Sequence, residues 1–361
     1  MRHLFFTNTP AHVHLYKHAV RLLDREGHDV TVMARDYGCT LDLLAYHDLP
    51  YEVYGRCGST KRSRFLQFPG QFLRISRRAQ QLEPDLVFGV GTFGAIAAAA
   101  ARCRCVLVLD SEPTNLDHRI SRRVADAILT PRAFEKRLGA NHYEFDGFKE
   151  SAYLHPSVFD PDPSVRDDLG LDPEESFAIC RFNAFDAHHD VGQSGFSTAQ
   201  REGLIERLAE RATVLVSNEG GHLDLTGLDG RRFDLHPARI HDALAAADLL
   251  VADTQTMVTE AAMLGTPAVR SNSFVGEDDM GNFKRLEAAG LIFNYTGFEE
   301  TISTAERLLS DDSVEDEWLA KRDDYVEGMV DLTDVIVEVA RTEAHLDEVA
   351  SVGPWSGTTP S

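Results

Sequence analysis

The feature that most constrains this chain is an alternation that starts at its first residues. Leu4-Phe5-Phe6 is a short apolar run, and residues 13–26 follow with Leu15, Ala19, Leu22 and Leu23 at helical spacing. Gly27 stands where a helix ends, and Asp29-Val30-Thr31-Val32-Met33 is the next strand. Strand, helix and strand joined this closely form a βαβ unit, which implies a parallel sheet. The pattern predicts further strands near 51–54, 85–90, 105–110, 126–130 and 142–145. Helices are expected over 65–82, 92–102 and 131–138.

A break follows. The segment from His155 to Pro163 places Pro156, Pro161 and Pro163 within eight residues, which interrupts helix and strand alike and reads as a linker. The alternation then restarts, with strands expected at 176–181, 213–217, 232–235, 248–252, 267–270 and 291–294. Helices are expected at 198–210, 238–247, 256–264, 282–289 and 299–309. Two acidic helices, 313–327 and 332–349, close the chain; Leu332, Val335, Ile336 and Val339 give the second an apolar stripe. From Gly353 onward the tail is expected to fray. The 361 residues suit two domains. The reading is therefore α/β: a Rossmann-like domain over 1–155, a linker at 156–164, a second over 165–330, and a C-terminal helix and tail at 331–361. Two doubly wound domains facing a central cleft would place strand C-termini and helix N-termini at the ligand.

Charge narrows the partners. Asp and Glu number 58 against 36 Lys and Arg, for a formal net charge of −22. Lysine is confined to Lys17, Lys61, Lys136, Lys149, Lys284 and Lys321. Such a surface suits a cytoplasmic protein of a salt-accumulating halophile, where salt screens self-repulsion; the alternative is an ordinary acidic protein. Nucleic acid is disfavoured, because its phosphates need a basic face. The one basic stretch, with Arg56, Lys61, Arg62 and Arg64, is either a solvated loop or a contact for an anionic acceptor. No run approaches the roughly 20 apolar residues of a membrane span, and the N-terminus lacks a signal-peptide core. The five cysteines have no zinc spacing and read as reduced, mostly buried thiols.

Two motifs carry chemistry. Thr7-Asn8-Thr9-Pro10-Ala11-His12-Val13 joins the first strand to the first helix. It has no glycine, so it is not the dinucleotide fingerprint, and the chain has no Walker A sequence; no cofactor is expected. His12 at the helix start is either a general base or a capping residue. His14 and His18 stand one helical turn apart, but no third metal ligand is evident. The second motif runs from Asp248 to Ala262. A strand ends in Asp253-Thr254-Gln255-Thr256 and a helix begins there, so free amides would face an anion. Glu260 either accepts hydrogen bonds from a ribose diol or is solvated, with Thr256 a simple N-cap.

These two motifs, in this order and about 245 residues apart, resemble the GT-B superfamily of nucleotide-sugar enzymes. The first resembles the loop ending in His of the peptidoglycan N-acetylglucosaminyltransferase. The second, continued by Leu264-Gly265-Thr266-Pro267-Ala268, resembles the uridine-diphosphate site of that enzyme and of non-hydrolysing UDP-N-acetylglucosamine 2-epimerases. An uncharacterised, largely archaeal family of this superfamily is similar in both. The resemblance implies that Thr254, Gln255 and Thr256, next to Asp253, contact a diphosphate, that Glu260 holds the ribose, that Asn282 meets the donor sugar, and that His12 is the acceptor base. With the glycines missing, Thr7, Asn8 and His12 are instead candidates to hold an acceptor or sugar. The epimerase alternative draws on Glu112 and on His188 or His189, but Val90-Gly91-Thr92-Phe93 has no acid where the epimerases have one. The polar run from Arg181 to Asp190 is expected to line the cleft.

The expected function is a metal-independent glycosyltransferase that moves a sugar from a nucleoside diphosphate, with UDP favoured, to the hydroxyl of a glycan or lipid-linked acceptor. A sugar-nucleotide epimerase is the alternative, and a non-catalytic nucleotide-sugar-binding protein the third. The oligomeric state is left open.

Overall fold

A computed structural model describes residues 1–58, 61–112, 115–182, 195–218, 223–276 and 279–357. The chain divides into two compact units: Met1–Val158 with Gly328–Ser361, and Phe159–Glu327.

Unit 1 begins β1 (Arg2–Thr7), α1 (Pro10–Arg25), β2 (Asp29–Asp36), α2 (Thr40–Tyr46), β3 (Tyr51–Arg56), α3 (Lys61–Leu82), β4 (Leu86–Gly89) and α4 (Thr92–Ala101). It continues β5 (Arg104–Val108), α5 (Asn115–Ser121), β6 (Ala127–Pro131), β7 (His142–Phe145) and α6 (Ser151–Leu154). Unit 2 holds α7 (Val165–Asp168), β8 (Phe177–Phe182), α8 (Thr198–Ala209), β9 (Thr213–Asn218), β10 (Gly230–Arg232), α9 (Ile240–Ala245), β11 (Leu249–Ala252) and α10 (Thr256–Leu264). Then come β12 (Ala268–Ser271), α11 (Gly281–Ala288), β13 (Ile292–Tyr295), α12 (Phe298–Leu309) and α13 (Val314–Val326). The chain returns to unit 1 with α14 (Leu332–Arg341) and β14 (Val352–Pro354).

The first sheet runs β14-β7-β6-β5-β4-β1-β2-β3 and is parallel except for β14, which pairs antiparallel with β7. The second runs β10-β9-β8-β11-β12-β13, all parallel. In each, sequence order reverses beside the unit's first strand, between β1 and β4 and between β8 and β11. Such a reversal leaves a crevice at the strands' C-terminal ends. Central strands buried on both faces read as unbroken apolar runs rather than alternating ones: β4 and β11 are buried at every residue, and β12 is too, although it carries Arg270 and Ser271. Phe5 stacks on Phe88 across β1 and β4, with ring centroids 4.8 Å apart.

Several expectations change. Residues 131–138 form no helix: Arg132 N–H donates to Phe145 O, extending the sheet, and Phe134 N–H closes a turn on Pro131 O. The last helix stops at Arg341 instead of 349, because Glu343 and Ala344 adopt left-handed backbone at φ +52° and +64°. The tail does not fray from Gly353: β14 pairs with β7, and Trp355 stacks on His142 at 5.4 Å. All five cysteines are free thiols, but only Cys105 and Cys180 are buried; Cys39, Cys57 and Cys103 are half-buried.

Candidate functional site

In unit 1 the switch point is organised by Asn8. Its N–H donates to His12 Nδ1 at 3.2 Å, its carbonyl accepts from Arg35 Nε at 3.2 Å, and its Oδ1 accepts from Tyr54 Oη at 2.7 Å. Asn8 is only 5% exposed, so it acts as a hub for these three residues. A ring nitrogen that accepts carries no proton, which leaves the proton of neutral His12 on Nε2. Burial above all, then the Lys149 charge, pushes the His12 pKa down to about 3; Asp110 opposes this and Arg35 adds to it. His12 is therefore neutral near pH 7 and offers an Nε2–H donor, not the free lone pair that the expected base requires. The Thr7 hydroxyl is buried without a partner among the described residues.

Charged groups follow the ends of β5 and β7, the two strands that flank β6. Asp110, beyond β5, pairs with buried Lys149, beyond β7, and Glu150 lies 3.8 Å from the same ammonium. Glu112 follows two residues after Asp110 and is half-buried. At α4, Thr92 N–H and Oγ1 both donate to Asp117 Oδ1. Gly91 has φ +100°, and a Cβ there would stand 2.3 Å from Asp117 Oδ2. An acid from α5 thus stands where the local sequence supplies none. His14 packs on the Tyr153 ring at 5.3 Å. Among the described residues no group of three or more His, Cys, Asp or Glu side chains is arranged to hold a metal.

In unit 2, β11 ends at Ala252 and α10 begins at Thr256, with Gln255 as N-cap and no side-chain hydrogen bond closing the cap. The first-turn amides are therefore not capped by a side chain. Thr254, Gln255 and Thr256 are half-buried; Thr254 Oγ1 is a buried atom with no partner among the described residues. Asn282 Nδ2 donates to Thr259 Oγ1 at 3.3 Å, which sets Asn282 beside α10, and its Oδ1 is likewise buried without a partner among the described residues. Glu260 is 4% exposed, with Oε1 accepting from His241 Nε2 at 3.0 Å, so it is not a solvated helix residue. Asp253 is committed elsewhere: its carboxylate accepts from Phe196 N–H at 3.2 Å and lies 3.6 Å from Arg201. Arg181, on β8, donates to Ser217 Oγ. His188 and His189 lie outside the described residues.

A family model described as "Protein of unknown function (DUF354)" matches residues 3–340. The chain belongs to this family. A relative, the uncharacterized protein MJ0665 of Methanocaldococcus jannaschii, is 21% identical over 277 residues, 73% of this chain and 79% of the other. The DUF354 chain also resembles solved structures. UDP-GlcNAc 2-epimerase from Neisseria meningitidis bound to UDP-GlcNAc matches with a TM-score of 0.65 at 12% identity, over 95% of this chain and 100% of that one. The spinosyn forosaminyltransferase SpnP matches at 0.66 and 14%, over 96% and 100%. These likenesses give the DUF354 chain the GT-B fold, two Rossmann-type units with parallel sheets. No helix among its described residues is long and apolar enough to cross a membrane.

Sequence reasoning missed several members of these sites. Arg35, Tyr54, Asp110, Asp117 and Lys149 surround the residues it chose in unit 1. Lys149 carried a signal, as one of six lysines standing just past a strand. In unit 2 it missed His241 and buried Arg270, whose Nε donates to Asn294 Oδ1 at 2.8 Å and whose guanidinium pairs with Asp279. That pair anchors the segment leading into Asn282.

Proposed function

We propose that the chain binds a nucleoside-diphosphate sugar and transfers the sugar to an acceptor hydroxyl. The observation that carries this reading is the start of α10: amides not capped by a side chain, Thr254 Oγ1 and Asn282 Oδ1 without a partner among the described residues, and buried Glu260 nearby. Amides and a helix dipole stabilise the negative charge on a departing diphosphate. Glu260, oriented by His241, accepts from the ribose diol. The acceptor oxygen attacks the anomeric carbon as the bond to the diphosphate oxygen breaks. Glu112 takes the acceptor proton, and His12 donates through Nε2–H. UDP is the favoured nucleotide, since structures of similar fold include ones bound to UDP-GlcNAc and to UDP.

A second reading is a sugar-nucleotide epimerase. Asp117 favours it, because its carboxylate stands against Gly91 and Thr92 and removes the objection that an acid was lacking there. One experiment separates the two. The full chain is incubated in KCl and D2O with a UDP- and GDP-sugar panel, with and without acceptors. Diphosphate release that requires an acceptor supports transfer. Deuterium in the ring of recovered sugar nucleotide, without acceptor and lost in Asp117→Asn, overturns it in favour of epimerisation.

A further inference from the structure

Several guanidinium groups of this acidic protein find a carboxylate, as Arg56 does with Asp36, Arg78 with Glu52 and Arg341 with Glu26. Arg35 finds none among the described residues. Its Nε donates to the Asn8 carbonyl, and the group lies 5.7 Å from the Tyr37 ring centroid and 5.5 Å from that of Phe93. Neither terminal nitrogen has an acceptor among the described residues. The register Thr7↔Ala34 brings Arg35 beside Asn8 at the end of β1, next to the buried Thr7 hydroxyl, which has no partner among the described residues. Asn8 also holds the His12 ring through Nδ1, and the Arg35 charge acts on that ring. Lys149, in contrast, already holds Asp110. A planar fork fixed by one hydrogen bond and two aromatic rings matches the paired oxygens of a phosphate or carboxylate.

We propose that this edge of unit 1 binds an oxyanion of the acceptor, a phosphate or a carboxylate, through the two terminal nitrogens of Arg35 and the Nε2–H of His12. The word acceptor rests on the transferase reading; the anion site does not. The donor's diphosphate has its own amides at α10 in unit 2, so a second anion site serves a second substrate.

The test titrates inorganic phosphate, and separately acetate, into the full chain in about 1 M KCl, following the His12 ring nitrogens by NMR. At least one anion should shift His12 Nε2, and the stronger of the two identifies the class. Arg35→Lys keeps charge but loses the fork and should weaken binding at least about tenfold; Arg35→Gln should abolish it. UDP affinity should stay unchanged in both. The inference is overturned if neither anion shifts His12 up to about 100 mM, if the response survives in folded Arg35→Gln, or if UDP affinity falls in parallel. Thermal midpoints check folding, and if Arg35→Gln does not fold, Arg35→Lys decides. Transfer assays with phosphate-bearing, carboxylate-bearing and neutral acceptors separate the two readings. Anion binding through Arg35 without any transfer sinks the transferase and spares the site. Transfer to neutral acceptors, undiminished by Arg35→Lys, sinks the inference and spares the transferase.

Discussion

Both units wind their sheets in the same order and reverse it beside their first strand, yet the two switch points are furnished differently. In unit 1 the edge is built of side chains that hold one another: Asn8 with His12, Arg35 and Tyr54, Asp110 with Lys149, Asp117 on the start of α4. In unit 2 the comparable edge offers backbone, the uncapped first turn of α10. The acid nearest it in sequence, Asp253, faces Arg201. The shared topology provides an edge where groups converge; the side chains decide whether that edge presents charge and protons or amides. This division fits a unit that handles an acceptor and a unit that holds a diphosphate.

Turnover is where this division breaks most visibly. Glu112→Gln should slow sugar transfer about 10²–10⁴-fold while calorimetry finds UDP affinity intact. A matching loss of UDP affinity would mean that the units do not divide the work. His12→Gln keeps an N–H donor and should lose less than about tenfold, whereas His12→Ala should lose about 10²-fold or more. Equal losses in the two variants would restore His12 as a base. In unit 2, Glu260→Ala should weaken UDP and uridine alike by roughly 1.5–3 kcal/mol, since both carry the ribose. Unchanged calorimetric affinity would reduce the His241–Glu260 pair to a structural one.

Acid should also tell the units apart. His3, His18 and His142 are pushed down to about 4, and His12 to about 3, chiefly by burial; all lie in unit 1. Their folded values lie below the unfolded 6.5, so the unfolded chain binds more protons as pH falls. The stability they contribute is complete above about pH 6.5 and drains toward pH 4, at about 1.4 kcal/mol per pH unit for each group. Hydrogen exchange, corrected for intrinsic rates, should lose protection in unit 1 before unit 2 between pH 6.5 and 4.5; simultaneous loss would contradict this. His142→Gln should flatten the slope. The smallest effect concerns both units together. Raising KCl from about 0.1 to 1 M shortens the Debye length from about 10 to 3 Å and should lift the thermal midpoint by a few degrees; an unchanged or lower midpoint would end the halophile reading.

Much of the fold was legible because strands buried on both faces leave apolar runs and helix stops leave glycines. The β7 run at 142–145 and the α10 run at 256–264 coincide with the structure to the residue. What escaped had no local signal. Residues 131–138 look helical in spacing, but their backbone bonds go to distant Phe145 O and to a turn. The end of α14 is set by left-handed Glu343 and Ala344, residue types that rarely mark a stop. In the site, residue choice at loop ends was readable while partnership was not. Asn8 drew notice as a polar loop residue, but its hub role depends on Tyr54, 46 residues away. Asp253 sat in the right motif and turned to Arg201, which only the tertiary fold brings near.

Residues 328–361 return to unit 1, so unit 2 is an insertion within it. This orders events on the ribosome. At about 5–20 residues per second, the roughly 200 residues between β7 and β14 take on the order of 10–40 s to emerge. Throughout that interval β7 is an unpaired sheet edge, His142 lacks the Trp355 ring that stacks on it, and α1 lacks α14. Open edges recruit other strands, so the nascent first unit is exposed to misassembly for longest, while the inserted unit has its whole sequence in hand well before. The residues that close the first unit are synthesised only after the whole of the second.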